Sequence, residues 1–180
     1  MGRVYNCWDT ISKGHCTLKN VQKTFLDSKA CLQLRHEIEI QTFLDHENIL
    51  RCYGFFHDPS RIYVILDLAL GGSVAQFLKK QPRKRLDEKS AANFLQQVDI
   101  KSDNLLLDKD GKVKIADFGC VVQNKNEGVG QITITICGSL NYIAPEMVKC
   151  APHNKKVDNW AGVLLFEFLV ECLTFEAEEE

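Results

Sequence analysis

The sequence predicts an α+β fold that is divided into two small lobes. The chain has 180 residues, a length that suits one domain or two small lobes. Strand-like segments around one helix occupy the first part, and helices and a hairpin follow it. The stretch Gly71-Gly72-Ser73 between these parts is the best candidate for a boundary. We therefore predict a first lobe over residues 1–69 and a second lobe over residues 70–180.

The first lobe is predicted to contain strands on both sides of one helix. Val4-Tyr5 and Cys16–Val21 have the composition of strands. A helix is predicted from about Ala30 to Asp45, because apolar residues recur there near helical spacing. The strands Ile49–Phe56 and Arg61–Asp67 follow the helix.

The second lobe is predicted to combine helices with one hairpin and one long loop. Asp110-Gly111 marks the turn of the hairpin, since both residues tolerate the positive φ of a tight reversal. Cys120–Leu140 shows no clear period and is predicted as a long loop, which is usually functional or disordered. The remaining elements are predicted helices at Val74–Lys80, Asp87–Val98 and Val157–Val170, and predicted strands at Leu105–Leu107 and Lys112–Ala116.

Composition and charge argue against several classes of protein. The formal net charge is −2, whereas a nucleic-acid binder normally carries a large positive excess, so we expect no nucleic-acid partner. The longest apolar run, residues 160–175, contains two glutamates and is too short to span a bilayer, so we expect no membrane partner. The 8 cysteines include no C-x-x-C pair. That pattern favours reduced thiols and a location in the cytoplasm or nucleus.

The most informative stretch holds a base, a cation and a metal-binding amide within one loop. Asp99 is followed by Lys101 and Asn104, and Asp117 arrives at the far end of a hairpin that folds it back. Such residues can hold Mg²⁺ between phosphates and point a hydroxyl at the outermost one. A calcium loop is not supported, because Gly119 stands where its bidentate glutamate would fall. Surface turn chemistry is the remaining alternative for these polar residues.

These motifs resemble those of eukaryotic Ser/Thr protein kinases. They read D-I-K-x-x-N from Asp99, D-F-G from Asp117 and A-P-E from Ala144, in the order of that family. Within the kinases, the chain is most similar to the Aurora family, through HENILRCY at residues 46–53 and KIADFG at residues 114–119. The resemblance implies a two-lobed, protein-kinase-like fold that phosphorylates protein Ser or Thr with ATP and Mg²⁺.

The resemblance also assigns a role to each matching residue. Lys19 would contact the α- and β-phosphates, and Glu37 would be its ion-pair partner. Glu39 is a rival for that place, although it points about 200° away from the helix face that Glu37 shares with Leu34. The other implied roles are Leu66 as the gatekeeper of the adenine pocket, Asp67 and Ala69 as the hinge backbone that binds adenine, Asp99 as the catalytic base, Lys101 as the cation on the transferring phosphoryl group, Asp103 as a further nucleotide-binding residue, and Asn104 and Asp117 as Mg²⁺ ligands.

Regulation, partners and location are implied in the same way. Thr135 matches the phosphosite of the activation loop, with an unregulated threonine-rich loop as the alternative. Ser139 matches a position that meets the reacting segment of the substrate. A protein substrate is expected, and an activator protein on the small lobe is a candidate partner. An Aurora-like kinase would act in mitosis at centrosomes, spindles or chromosomes.

The chain departs from the family pattern at four places. It begins near the last glycine of the phosphate-covering loop, Gly2, so the first strand is expected to be lacking. Gln97-Val98 stand where His-Arg should precede Asp99, and roughly fifteen residues are expected to be missing there. The turn at Trp160 is one residue short, and the closing helices of the large lobe are expected to be absent. We therefore predict an incomplete kinase fold. A catalytically impaired pseudokinase, an interfering fragment that binds partners without turnover, and a product of skipped coding segments remain alternatives.

Overall fold

The computed structural model describes residues 2–81, 85–91, 104–119, 143–154, 156–157, 160 and 163–170. Contacts divide the chain into two compact units, one of residues 1–71 and 106–121 and one of residues 72–105 and 122–180. The first break follows Gly71, inside the predicted boundary stretch. Residues 106–121, which fall in the predicted second lobe, belong to the first unit. The mixture of helices with an antiparallel sheet confirms the predicted α+β class.

The elements that lie wholly within the described residues are seven strands, four α-helices and one 3₁₀ turn. In order they are β1 (Arg3–Asp9), β2 (Gly14–Gln22), a 3₁₀ turn (Lys23–Phe25), α1 (Ser28–Phe43), β3 (Cys52–His57), β4 (Arg61–Leu66), β5 (Gly72–Ser73), α2 (Val74–Lys80), β6 (Leu105–Leu107), β7 (Val113–Ile115), α3 (Pro145–Val148) and α4 (Val163–Val170).

A four-stranded antiparallel sheet and one helix form most of the first unit. The strand order is β1-β2-β4-β3. Helix α1 begins earlier than predicted because the side chain of Asp27 accepts a hydrogen bond from the backbone N–H of Ala30 and so caps it. Burial of an aliphatic side chain contributes about 1.5–3 kcal/mol, so the shared core holds α1 on the sheet. That core consists of Leu34, Ile38, Leu50, Cys52, Val64 and Leu66.

The predicted hairpin between β6 and β7 is present, and it is attached to the first unit. Its turn contains Gly111 at a φ of 78°, and the carboxylate of Asp108 accepts hydrogen bonds from the N–H groups of Asp110 and Lys112. At the end of β7, the Leu50 N–H donates to the Ile115 carbonyl at 2.9 Å. This attachment brings the residues after Ile115 to the unit that contains β2 and α1.

The second unit contains α2 and the short helices near the end of the chain. Ser73 caps α2, and Asp87 caps a helical segment over residues 88–91. The rest of the predicted helix to Val98 and the predicted loop Cys120–Leu140 lie outside the described residues. Proline is the first residue of α3, at the A-P-E motif. Among the described residues, no helix has the length and apolar character needed to cross a membrane.

Gly71 tolerates no side chain, which makes Gly71→Ala a test of the first unit. A Cβ at this position would lie 2.5 Å from the Cβ of Leu107 and 3.0 Å from its carbonyl oxygen, to which the Gly71 N–H donates. We expect Gly71→Ala to lower the free energy of unfolding by about 1–3 kcal/mol, measured by chemical denaturation. Gly14→Ala is the matched control, because its Cβ would have only the Ser12 hydroxyl nearby, at 3.6 Å. Equal unfolding midpoints for the two variants would contradict the close packing of Gly71 on the hairpin.

Candidate active site

The position of Lys19 follows from the register of the central strands. Lys19 lies in the middle of β2, directly opposite Val64 of β4. Residues opposite each other in an antiparallel pair project to the same face of the sheet. Val64 is only 3% exposed and belongs to the core that packs against α1. Lys19 therefore projects from the sheet toward α1.

Glu37 of α1 meets this lysine. The Nζ of Lys19 lies 3.5 Å from Oε1 of Glu37, and the Glu37 side chain is only 12% exposed. Glu37 follows the buried Leu34 by one turn and so faces the sheet. Glu39, the rival candidate, instead pairs with Arg35 at 2.7 Å on the exposed side of the helix.

The ionisation of Glu37 reflects competing influences. Burial raises the pKa of Glu37 above its ordinary value, and the nearby charge of Asp117 raises it further. Lys19 and a hydrogen bond from the Phe118 backbone act in the opposite direction and favour the charged carboxylate. Lys19 and Glu37 therefore depend on each other, because the cation offsets much of the cost of burying the carboxylate.

Asp117 and Gly119 complete the same site after β7. Asp117 has a φ of 76°, a conformation that aspartate adopts more readily than most residues. The Gly119 N–H donates to Oδ1 of Asp117 at 3.2 Å. A Cβ on Gly119 would lie 3.2 Å from Oδ1 of Asp117 and 3.6 Å from Oε2 of Glu37. Both carboxylates therefore border this glycine.

Gln33 is a site residue that the sequence analysis missed. Its Nε2 donates to the Gly119 carbonyl at 2.9 Å and so links α1 to the segment after β7. The available signal was its spacing, since Gln33 lies four residues before Glu37 on the same helix face. This hydrogen bond positions the backbone next to Asp117.

The predicted adenine-binding residues lie at the end of β4. Leu66 is 8% exposed and stands opposite Thr17 and Cys52 on the neighbouring strands. The Asp67 N–H donates to the Arg51 carbonyl at 2.9 Å, and Ala69 packs against the core of the first unit. Leu66, Asp67 and Ala69 therefore belong to the unit that holds Lys19.

The remaining predicted site residues are placed elsewhere or lie outside the described residues. Asn104 is half-buried at the start of β6 and belongs to the second unit. Asp99, Lys101, Asp103, Thr135 and Ser139 lie outside the described residues.

The chemistry of this site suits a phosphorylated ligand with a divalent cation. Lys19 offers a positive charge held in place by Glu37, and a carboxylate such as Asp117 is a ligand that Mg²⁺ prefers. Within the described parts of the chain, no three His, Cys, Asp or Glu side chains gather into a metal site.

Comparison with known proteins gives consistent matches along the chain. The family model described as "Protein kinase domain" matches residues 1–180. Aurora kinase A-A of Xenopus laevis is 40% identical over 194 positions, which cover 98% of this chain and 46% of that protein. Aurora kinase of Schizosaccharomyces pombe is 41% identical, covering 97% of this chain and 52% of that protein. Serine/threonine-protein kinase Aurora-2 of Arabidopsis thaliana is 38% identical, and the alignment covers 99% of this chain and 67% of that protein.

Two features of these matches bear on the length of the chain. The chain spans about half the length of the Xenopus and fission yeast relatives. The Xenopus alignment extends over 194 positions, more than the 180 residues of this chain, and therefore contains gaps within it.

Proposed function

Because the chain belongs to the protein kinase family and is close to the Aurora kinases, we propose that it transfers the γ-phosphoryl group of ATP to serine or threonine side chains of proteins. The observation that carries this proposal is the Lys19–Glu37 ion pair beside Asp117. A half-buried lysine–glutamate pair next to a D-F-G aspartate is the arrangement that kinases need to hold nucleotide phosphates.

The residues of the first unit would bind and orient the nucleotide. Lys19, held by Glu37, contacts the α- and β-phosphates, and Asp117 supplies a carboxylate ligand for Mg²⁺. The backbone of Asp67 and Ala69 hydrogen-bonds adenine, and Leu66 limits the depth of the adenine pocket. When bound, Mg²⁺ neutralises charge on the phosphates.

Residues outside this unit are proposed from their motif matches. Asn104 is the second oxygen ligand for Mg²⁺, and Asp103 also belongs to the nucleotide-binding loop. Asp99 accepts the proton of the substrate hydroxyl, while Lys101 offsets the charge that develops on the transferring phosphoryl group. Thr135 is the proposed regulatory phosphosite, and Ser139 meets the substrate.

The partners follow from the same family membership. A protein that carries an accessible serine or threonine is the substrate, and an activator protein binds the small lobe. The names of the Aurora relatives support a role in mitosis, and we propose location at centrosomes, spindles or chromosomes.

A transfer assay with the 180-residue chain tests the activity. We expect label from the γ-phosphate of ATP to appear on serine or threonine of a generic protein substrate in the presence of Mg²⁺. Asp99→Asn should abolish this transfer while leaving nucleotide binding intact. Mg²⁺-dependent nucleotide binding without any transfer would support the impaired, partner-binding alternative. The sequence feature behind that alternative is Gln97-Val98, which stand where the family has His-Arg before Asp99.

The raised pKa of Glu37 predicts a pH dependence of nucleotide binding. As the pH falls through this raised pKa, Glu37 takes up a proton and no longer holds Lys19 by charge. The affinity for a non-hydrolysable ATP analogue should therefore decrease as the pH is lowered. This decrease should begin while the pH is still above 4.5, the ordinary pKa of a glutamate. Glu37→Gln should bind more weakly at neutral pH but show a flatter profile, because glutamine does not titrate.

The raised pKa of Glu37 also predicts how the free energy of unfolding depends on pH. A carboxyl group with a raised pKa binds more protons in the folded than in the unfolded chain, so its contribution to stability decreases as the pH rises from 4.5 through the folded pKa. Glu37→Gln should flatten this slope as well. Calorimetric titration and denaturation at a series of pH values from 4.5 upward measure both effects. Parallel profiles for the wild type and the variant would argue against a raised Glu37 pKa.

A further inference from the structure

The hairpin formed by β1 and β2 places two cysteines face to face. Cys7 of β1 is directly opposite Cys16 of β2 in the antiparallel register. Directly opposite residues project to the same face of a sheet. Both thiols are free and half-buried. Among the described cysteines, these are the two that a strand register places opposite each other.

The turn of the hairpin sets this register. The Asp9 carboxylate accepts hydrogen bonds from the N–H of Ile11 at 2.9 Å and from the N–H of Ser12 at 3.2 Å. These bonds close the turn directly after β1 and leave little freedom for the strands to slip.

Side chains on the other face of the hairpin confirm the register. The rings of Trp8 and His15 meet edge to face, with centroids 4.9 Å apart. These residues are the immediate neighbours of Cys7 and Cys16 and are themselves opposite each other. A slip by one residue would break this ring contact and separate the two thiols.

The spacing of directly opposite residues in an antiparallel pair is compatible with a disulfide bond between Cys7 and Cys16. In antiparallel pairs, opposite Cα atoms lie about 4.5–5.5 Å apart, within the 4.4–6.8 Å that disulfides span. Opposite Cβ atoms lie about 4.5–5.5 Å apart, and a disulfide needs about 3.5–4.5 Å. An approach of the strands by about 1 Å or less is therefore sufficient.

We propose that Cys7 and Cys16 are a redox modification site, at which a peroxide oxidises the two thiols to a reversible disulfide that crosslinks β1 to β2. This proposal goes beyond the proposed phosphoryl transfer, because neither cysteine belongs to the candidate active site. Half-buried thiols remain accessible to a small oxidant, and transient disulfides of this kind occur in reducing compartments.

The reaction balances with hydrogen peroxide as the oxidant. The Cys7 thiolate attacks one peroxide oxygen, the O–O bond breaks, and the departing hydroxide takes up a proton and leaves as water. The resulting sulfenic acid is attacked by the sulfur of Cys16, which forms the S–S bond and releases a second water. Two thiols and one peroxide thus yield one disulfide and two waters, and a dithiol reductant reverses the change by exchange.

Cys16 is assigned the second step, because its surroundings disfavour its thiolate. Burial raises the pKa of the Cys16 thiol, and the proximity of Cys7 and Asp9 raises it further.

Peptide mapping of the folded chain tests the proposal directly. Trypsin cleaves after Arg3, Lys13 and Lys19, so that Cys7 and Cys16 fall on separate peptides, residues 4–13 and 14–19. After stoichiometric hydrogen peroxide, we expect a linked peptide whose mass equals the two peptides less two hydrogen atoms. The linked peptide should disappear on treatment with dithiothreitol.

Variants distinguish this pair from other cysteines. Cys7→Ser and Cys16→Ser should each abolish the linked peptide, whereas Cys31→Ser, which changes a half-buried thiol on α1, should leave it at the wild-type level. The same treatment in denaturant should give a mixture of linkages. If peroxide leaves residues 4–13 and 14–19 unlinked, or links them mainly to other cysteines, the proposal is wrong.

Discussion

Asp117→Asn is expected to remove the Mg²⁺-dependent part of nucleotide binding. The substitution replaces a charged oxygen ligand by a neutral amide of nearly the same shape. Asparagine tolerates the positive φ of 76° at this position, so the backbone should be preserved. Losing one charge-assisted contact of about 1.5–3 kcal/mol corresponds to an affinity loss of roughly 10- to 100-fold in the presence of Mg²⁺. Without Mg²⁺, binding should be unchanged or slightly stronger, since a negative charge near the phosphates is removed.

Calorimetric titration with a non-hydrolysable ATP analogue, with and without Mg²⁺, measures this effect. Asp110→Asn is the matched control, because it removes the same charge from the exposed hairpin turn and leaves an Asn-Gly sequence that suits the turn. Equal affinities of the wild type and Asp117→Asn in Mg²⁺ would count against a metal–nucleotide site.

Lys19→Met is expected to weaken nucleotide binding whether or not Mg²⁺ is present. The lysine acts on the phosphates directly, and its loss should reduce the affinity by roughly 10-fold or more. The variant also leaves Glu37 buried without its cation, which should lower the free energy of unfolding by about 1–3 kcal/mol. The combined variant Lys19→Met/Glu37→Gln should regain much of this stability, because no charge is then buried, but it should not regain nucleotide affinity.

A second lysine–glutamate pair in the same unit serves as the control. Lys112 and Glu47 lie 3.3 Å apart, but their side chains are 59% and 70% exposed. A surface pair of this kind contributes about 0–1 kcal/mol, so Lys112→Met should change neither stability nor affinity appreciably. If the combined variant is no more stable than Lys19→Met alone, the charges of Lys19 and Glu37 are not coupled in the way the structure indicates.

Local patterns were sufficient to predict most of the elements of the first unit. Asp110-Gly111 predicted a hairpin turn, because positive φ is a property of the residues themselves. The start of α1 could also have been predicted more closely, since Asp27 is a standard capping residue that the apolar periodicity did not reveal. The end of β1 at Asp9 depends on hydrogen bonds within three residues, which is again a local effect.

The candidate site could be predicted only in part. Motif spacing identified Lys19, Glu37 and Asp117, and helix periodicity favoured Glu37 over Glu39. The role of Gln33 was not foreseen, because its partner is a backbone carbonyl 86 residues away, and its spacing of four residues from Glu37 does not by itself identify that partner. The assignment of residues 106–121 to the first unit was missed for a similar reason. It depends on two long-range backbone hydrogen bonds, one from the Leu50 N–H to the Ile115 carbonyl and one from the Ile115 N–H to the Asn48 carbonyl.

The sequence by itself determined the family, the strands and helices of the first unit and the residue types of the site, because these depend on short-range periodicity and on motif order. Only the tertiary structure decided which of these residues meet. The 3.5 Å approach of Lys19 to Glu37 depends on the register between β2 and β4 and on the packing of α1 against their shared face. The pairing of Cys7 with Cys16 likewise depends on a register that one residue of slip would destroy. Such contacts arise from the burial of a common core and from strand pairing across the chain, and no local segment of the sequence contains that information.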